Sequence, residues 1–118
     1  MRHHNKNKKF GLKTTERHAL LRSLTRSFFM KESITTTHAH AKALRPIAEK
    51  LITRAKNPTL SDHRLLLART YGDDRLVKKI ESLAKTHADR SGGYTRIVKL
   101  PARKSDGSPM AVIQFVKD

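Results

Sequence analysis

Cysteine and tryptophan are absent from this chain. Without cysteine there is no disulfide, no thiolate zinc site and no cysteine nucleophile, and the lack of thiols fits a reducing compartment. Aromatic residues are scarce at 5% and hydrophobic residues reach only 36%, which is thin material for the core of a free-standing globule. No apolar run approaches the roughly 18 residues of a membrane span. Behind Met1-Arg2-His3-His4 there is no apolar segment of the kind a secretory signal carries. The expected location is the cytoplasm.

Acid is the other scarcity. Ten Asp and Glu stand against 26 Lys and Arg, for a formal charge of +16 in 118 residues and a pI near 10.9. One domain of this size buries roughly two-thirds of its unfolded surface, and so large an excess repels itself unless a polyanion neutralises it. A strongly basic small domain is the electrostatic footprint of nucleic-acid binding. An anionic membrane is the alternative polyanion, but no basic helix carries the bulky aromatic face that interfacial insertion needs.

Residues 1–13 read as a basic arm. Arg2, Lys6, Lys8, Lys9 and Lys13 carry charge with no acid among them, and Met1, Phe10 and Leu12 are the only large apolar side chains. Such a segment cannot offset its own ordering entropy and is expected to order on binding. Residues 14–118 read as one α+β domain. A helix is expected from about Thr15, with Leu20, Leu21, Leu24 and Phe28 on one face. His18, Arg22 and Arg26, four apart, form a basic row on another. Like charges in such a row repel in water, and a phosphate backbone beside them turns the cost into a gain.

Glu32 to Thr37 is β-rich, and its threonines serve equally well as a strand or as the cap of the following helix. Leu44, Ile47, Ala48, Leu51, Ile52 and Ala55 then repeat at helical spacing. Pro46 interrupts them, so either the helix kinks near Lys42 or it starts near Arg45. Ser61 or Asp62 is the expected cap of a third helix that Gly72 stops. Asp73 or Asp74 should cap a fourth, with Leu76, Val77, Ile80, Leu83 and Ala84 on one face.

After Arg90-Ser91-Gly92-Gly93 the period changes to two. Tyr94 to Leu100 and Met110 to Val116 read as an antiparallel hairpin, closed by a loop that contains Asp106-Gly107. The expected architecture is about four helices packed on a small mixed sheet of about three strands.

Catalytic chemistry finds little support. His38 and His40 point to nearly opposite sides of a helix and do not chelate together there, though in an extended segment they would share a face. Asp73 and Asp74 are better explained as a helix cap than as part of a two-metal site, which needs several convergent carboxylates. Ser91-Gly92-Gly93 lacks the ending of a phosphate-binding loop. No catalytic residue, metal ligand, cofactor or small-molecule substrate is assigned, and no homo-oligomer is expected. Binding remains. Tyr94 beside Arg96 has two readings, a base-stacking platform with a phosphate ligand or a core tyrosine at the sheet margin. Lys99, Arg103 and Lys104 extend the basic character through the hairpin. Charge spread over arm, first helix and hairpin suits a folded RNA better than a DNA groove read by one helix.

The chain resembles the bacterial-type large-subunit ribosomal protein L-seventeen family. The likeness is carried by Met1-Arg2-His3, by TERHALLRSL from Thr15 to Leu24, and by ITTTHAHAKALRPIAEKLITRAK from Ile34 to Lys56. RSGGYTRI from Arg90 to Ile97 and PMAVIQFV from Pro109 to Val116 complete it. The arm departs from the family at His4 and in the glycine-poor run after it. The resemblance implies a structural role in the large subunit, direct binding to the large ribosomal RNA, and a place near the nascent-chain exit beside other ribosomal proteins. Carried onto this chain, it implies RNA contacts from Arg2, His3, Arg17, His18, Arg22, Lys42, Arg45, Arg90, Tyr94 and Arg96. A free RNA-binding regulator or RNA chaperone is the alternative.

Overall fold

The computed structural model describes residues 3–4, 8–57 and 59–116. Four helices and three strands follow one another as α1 (Thr14–Lys31), β1 (Ser33–Thr37), α2 (His38–Ala55), α3 (Leu60–Arg69), α4 (Asp74–Thr86), β2 (Thr95–Leu100) and β3 (Met110–Phe115). The chain is α+β, as its pattern of helices followed by a hairpin implies.

Each boundary has a local cause. Helix α1 opens where the Lys13 N–H donates to the Glu16 carboxylate at 3.4 Å, and Glu16 suits the positive end of the helix dipole. It closes at Glu32, whose backbone turns left-handed and whose N–H donates to the Phe28 carbonyl at 2.7 Å. The threonine run then does both things its sequence allows. It forms β1, and the Thr37 hydroxyl accepts from the His40 N–H at 3.3 Å to cap α2.

Helix α2 is continuous from His38, with Pro46 inside it. A start near Arg45 is therefore excluded, and Pro46 supplies no N–H to the Lys42 carbonyl one turn back. Helix α3 begins one position before Ser61, so its cap is Thr59 rather than Ser61 or Asp62. Asp62 falls in the first turn, where its N–H donates to the Thr59 hydroxyl at 3.2 Å. Hydrogen bonds from Thr59 and then from Arg54 hold the Asp62 carboxyl below its ordinary range. The α3–α4 turn takes two left-handed residues, Tyr71 and Gly72, and the Gly72 N–H closes on the Leu67 carbonyl at 2.8 Å. Asp73 caps α4 by accepting from the Leu76 N–H at 3.1 Å.

The sheet order is β1-β3-β2 and both pairings are antiparallel, so it is not mixed. The two strands of the hairpin pair as expected, but β1 lies along the far side of β3. Register places Ile34, Ile113 and Ile97 in a row across the three strands. Period-two burial along β3 turns Ala111, Ile113 and Phe115 inward against the helices. There the Phe115 ring stacks on Phe28 with centroids 4.3 Å apart and lies 5.4 Å from Phe29. Ala41, Leu44, Ala48 and Ile52 of α2 join Val77, Ile80 and Ala84 of α4 in the same core.

His87, just past α4, is buried at this end of the core. Its Nδ1 and Nε2 lie 2.9 and 2.8 Å from the carbonyl oxygens of Leu83 and Val116, tying the helix to the segment after β3. No helix among the described residues is long and apolar enough to cross a membrane.

Two substitutions test this description. Phe115→Ala removes the ring that joins sheet to helices, and denaturant unfolding should show a loss of about 3–5 kcal/mol. Asp73→Ala should cost about 1–2 kcal/mol through the lost cap, whereas Asp73→Asn keeps the cap and should cost well under half of that.

Candidate nucleic-acid interface

The acids are largely consumed inside the protein. Glu32 pairs with Lys79 at 2.7 Å, Asp62 with Arg54 at 3.0 Å and Glu81 with His63 at 2.7 Å. Asp73 pairs with Arg26, and Glu49 with Arg45 at 3.7 Å. Asp74 pairs with Lys78 at 3.3 Å and Asp106 with Arg103 at 3.4 Å. Seven acids are thus engaged among the described residues. Cations outnumber the acids by 26 to ten, so most of them meet no carboxylate and their charge stands toward solvent.

The sequence-named cations lie in the arm, on α1, α2 and β2, and at Arg90 before β2. Arg2 and Lys6 lie outside the described residues. His3, Lys8, Lys9 and Lys13 are exposed. The ring of Phe10 meets His40 edge-on with centroids 4.8 Å apart, which brings the described end of the arm to the first turn of α2. On α1, His18, Arg22 and Arg26 are exposed and Arg17 is half-buried. Arg26 is held by Asp73, so the row is clamped at one end to the α3–α4 turn. On α2, Lys42 and Arg45 are exposed, and Arg45 leans on Glu49. On β2, Arg96 and Lys99 are exposed, with Arg96 opposite Gln114 on the sheet's outer face.

Tyr94 is a correction. Its side chain is 1% exposed and cannot receive a base. The glycine pair carries the chain inward rather than presenting the ring, and the phenol oxygen accepts from Thr53 at 3.2 Å. The hydroxyl in turn donates to the Arg90 carbonyl at 3.4 Å. The Lys56 ammonium sits 4.5 Å over the ring and also donates to the Arg90 carbonyl. Burial opposes ionisation of the phenol, but hydrogen bonding to Lys56 and Thr53 outweighs it and holds the group below its ordinary value. Arg90 is half-buried and its backbone belongs to this knot. Next to it, Glu49 accepts from the N–H and hydroxyl of Thr95 at 3.3 and 3.0 Å.

An open cleft of about 1090 Å³ lies between α1, α2 and α3. Leu21, Ile47, Leu51 and Leu65 give it apolar walls, and His18, Arg22, Lys50, Arg54 and Arg69 give it a basic lining. Tyr71 stands beside it, 62% exposed. Lys50, Arg54, Arg69 and Tyr71 escape a reading of the sequence because three separate helices and a turn bring them together. Tyr71 alone leaves a trace there, as an aromatic residue outside any apolar periodicity. Among the described residues no group of three or more His, Asp or Glu side chains is placed to hold a metal ion. The arrangement can bind and neutralise, and it offers no assembled nucleophile, base and acid.

Fold and surface together define a small basic α+β binding protein. A family model described as "Ribosomal protein L17" matches residues 20–116. A large ribosomal subunit protein bL17 of Sphingopyxis alaskensis is 43% identical over 98% of this chain and 84% of its own length. That of Thermomicrobium roseum is 42% identical over 98% and 99%, and that of Pelobacter propionicus 38% identical over 100% and 93%. The chain belongs to the ribosomal protein L17 family. The family is structural, and the chain is not an enzyme.

Removing the Tyr94 hydroxyl isolates its structural role. Tyr94→Phe keeps the ring under Lys56 and should cost about 0.5–1.5 kcal/mol in chemical unfolding, whereas Tyr94→Ala should cost about 3–5 kcal/mol.

Proposed function

We propose that this protein is a structural constituent of the large ribosomal subunit that binds the large ribosomal RNA directly. One observation carries the reading: among the described residues most acids are engaged in ion pairs within the chain, and a surplus of exposed cations stands on α1, α2 and β2. A surface of that kind gains most of its binding free energy from phosphate contacts and counterion release. The relatives' printed name supplies the particle. Exposed His3, Lys8, Lys9, Lys13, His18, Arg22, Lys42, Arg96 and Lys99 are the contacts proposed, with Arg2 and Lys6 continuing the arm.

A place near the nascent-chain exit, in the bacterial cytoplasm, rests on the family resemblance. Neighbouring large-subunit proteins are the further partners. The sheet's outer face, where Val98 and Leu100 stay exposed, offers them an apolar surface.

The test is gradient fractionation of a lysate, with the protein followed by mass spectrometry through a moderate-salt wash of the ribosomal fractions. About one copy per large subunit, retained through the wash, is the expected result. A mostly free pool would favour a regulator or RNA chaperone instead. In solution, RNA affinity should fall with salt by roughly one unit of log–log slope per phosphate contact. Arg96→Gln should lower that slope by about one, and removing residues 1–13 should lower it further while far-UV circular dichroism stays that of the folded domain.

A further inference from the structure

Tyr71 is an expensive residue in its place. Its backbone is left-handed, at φ +59°, where a bulky side chain is strained and asparagine or glycine much less so. The fold requires that conformation, because the chain must turn from α3 into α4 between Arg69 and Asp74. It does not require the aromatic ring. The ring is 62% exposed and takes no part in the core. It is partnered by Arg22, whose guanidinium carbon lies 4.7 Å from the ring centroid. The Arg26–Asp73 ion pair fixes α1 against the same turn, so ring and guanidinium are held in register from both sides.

The neighbourhood is equally specific. Arg22, Lys50 and Arg69 line the cleft beside Tyr71, and none of the three forms an ion pair among the described residues. Glu49 is the single carboxylate in the lining, and it is turned to Arg45 and Thr95. Behind the cations the walls are apolar, from Leu21, Ile47 and Leu65. The cleft is at the upper end of what one small ligand fills. An aromatic face over apolar walls, rimmed by unpaired cations, matches an unpaired nucleotide, whose base stacks and whose flanking phosphates are neutralised.

We infer that the cleft between α1, α2 and α3 binds a single-stranded segment of RNA, with one unpaired base stacked on Tyr71 and the flanking phosphates on Arg22, Lys50 and Arg69. This rests on the proposed RNA-binding role and goes past it, because it assigns a non-helical element of the RNA to one site. The first helix's basic row thereby has two ends with different tasks. Arg26 locks the protein to itself, and Arg22 presents the ring and meets the RNA.

The probe is a short single-stranded oligoribonucleotide carrying one 2-aminopurine at its centre, titrated with the full chain, with a blunt RNA duplex of the same length in parallel. Stacking on Tyr71 should quench the fluorescent base, and the single strand should be preferred to the duplex. Tyr71→Asn removes the ring while fitting the left-handed backbone, so the thermal melt should be unchanged or raised. It should abolish the protein-dependent quenching and weaken single-strand binding about tenfold, within the range for one base–aromatic stack. Tyr71→Phe should restore both. Lys50→Gln and Arg69→Gln should each lower the salt slope by about one.

Wild-type quenching and affinity in Tyr71→Asn would overturn the cleft assignment, while a steep salt dependence of the parent protein would leave its general RNA-binding role standing. A parent protein with no salt-dependent RNA affinity would overturn both. If Tyr71→Asn binds RNA normally and reconstituted subunits containing it lose a neighbouring protein, the cleft is a protein-docking surface and the assignment is likewise overturned.

Discussion

The fold hangs on the central position of β3. This last strand enters between β1 and β2, so the hairpin it makes with its sequence neighbour is joined to a strand formed some 75 residues earlier. Its inner face does the joining in the third dimension. Ala111, Ile113 and Phe115 are buried, and Phe115 stacks on Phe28 from the end of α1. A protein with so few aromatic residues places three of its four phenylalanines in one contact. Non-local pairing of this kind repays its loop-closure entropy only when the chain is nearly complete. The helices' apolar faces have no sheet to cover until then.

Electrostatics work against that compaction and explain how the acids are used. With +16 on a small domain, each carboxylate left free on the surface is a lost opportunity to relieve repulsion. Instead they staple elements together. Glu32 ties the end of α1 to α4, Asp62 ties α3 to α2, and Asp73 both caps α4 and holds α1. Individually such exposed pairs are weak. Collectively they shape the outer surface, because they offset negative charge there and leave the remaining cations exposed.

Tyr94 takes the core position of its two sequence readings, and the exposed ring is Tyr71 instead. Tyr94 follows two glycines and precedes an arginine, as a stacking residue would, yet it closes the core through Thr53, Lys56 and the Arg90 carbonyl. Tyr71 sits in the α3–α4 turn, and it is the exposed ring, braced by an arginine 49 positions earlier. The sign of burial at an isolated aromatic depends on which elements arrive around it: Tyr71 lies outside any apolar periodicity, and Tyr94 stands at the margin of a strand, where alternation leaves its side open.

By itself the sequence determined what depends on neighbours a few residues apart. Helical spacing of apolar residues set the inward faces of α2 and α4, alternation set β3, and Gly72 and Asp73 set the break between α3 and α4. Composition set the overall basicity. Tertiary structure alone decided the pairing of β1 with β3, the antiparallel character of the whole sheet and the fit of Pro46 inside a continuous helix. It decided also which cations are neutralised internally and which line the cleft. The physical reason is the same throughout. Periodicity and capping are written in local free energies, whereas strand order, ion-pair choice and the exposure of a lone side chain depend on distances between elements far apart in the chain.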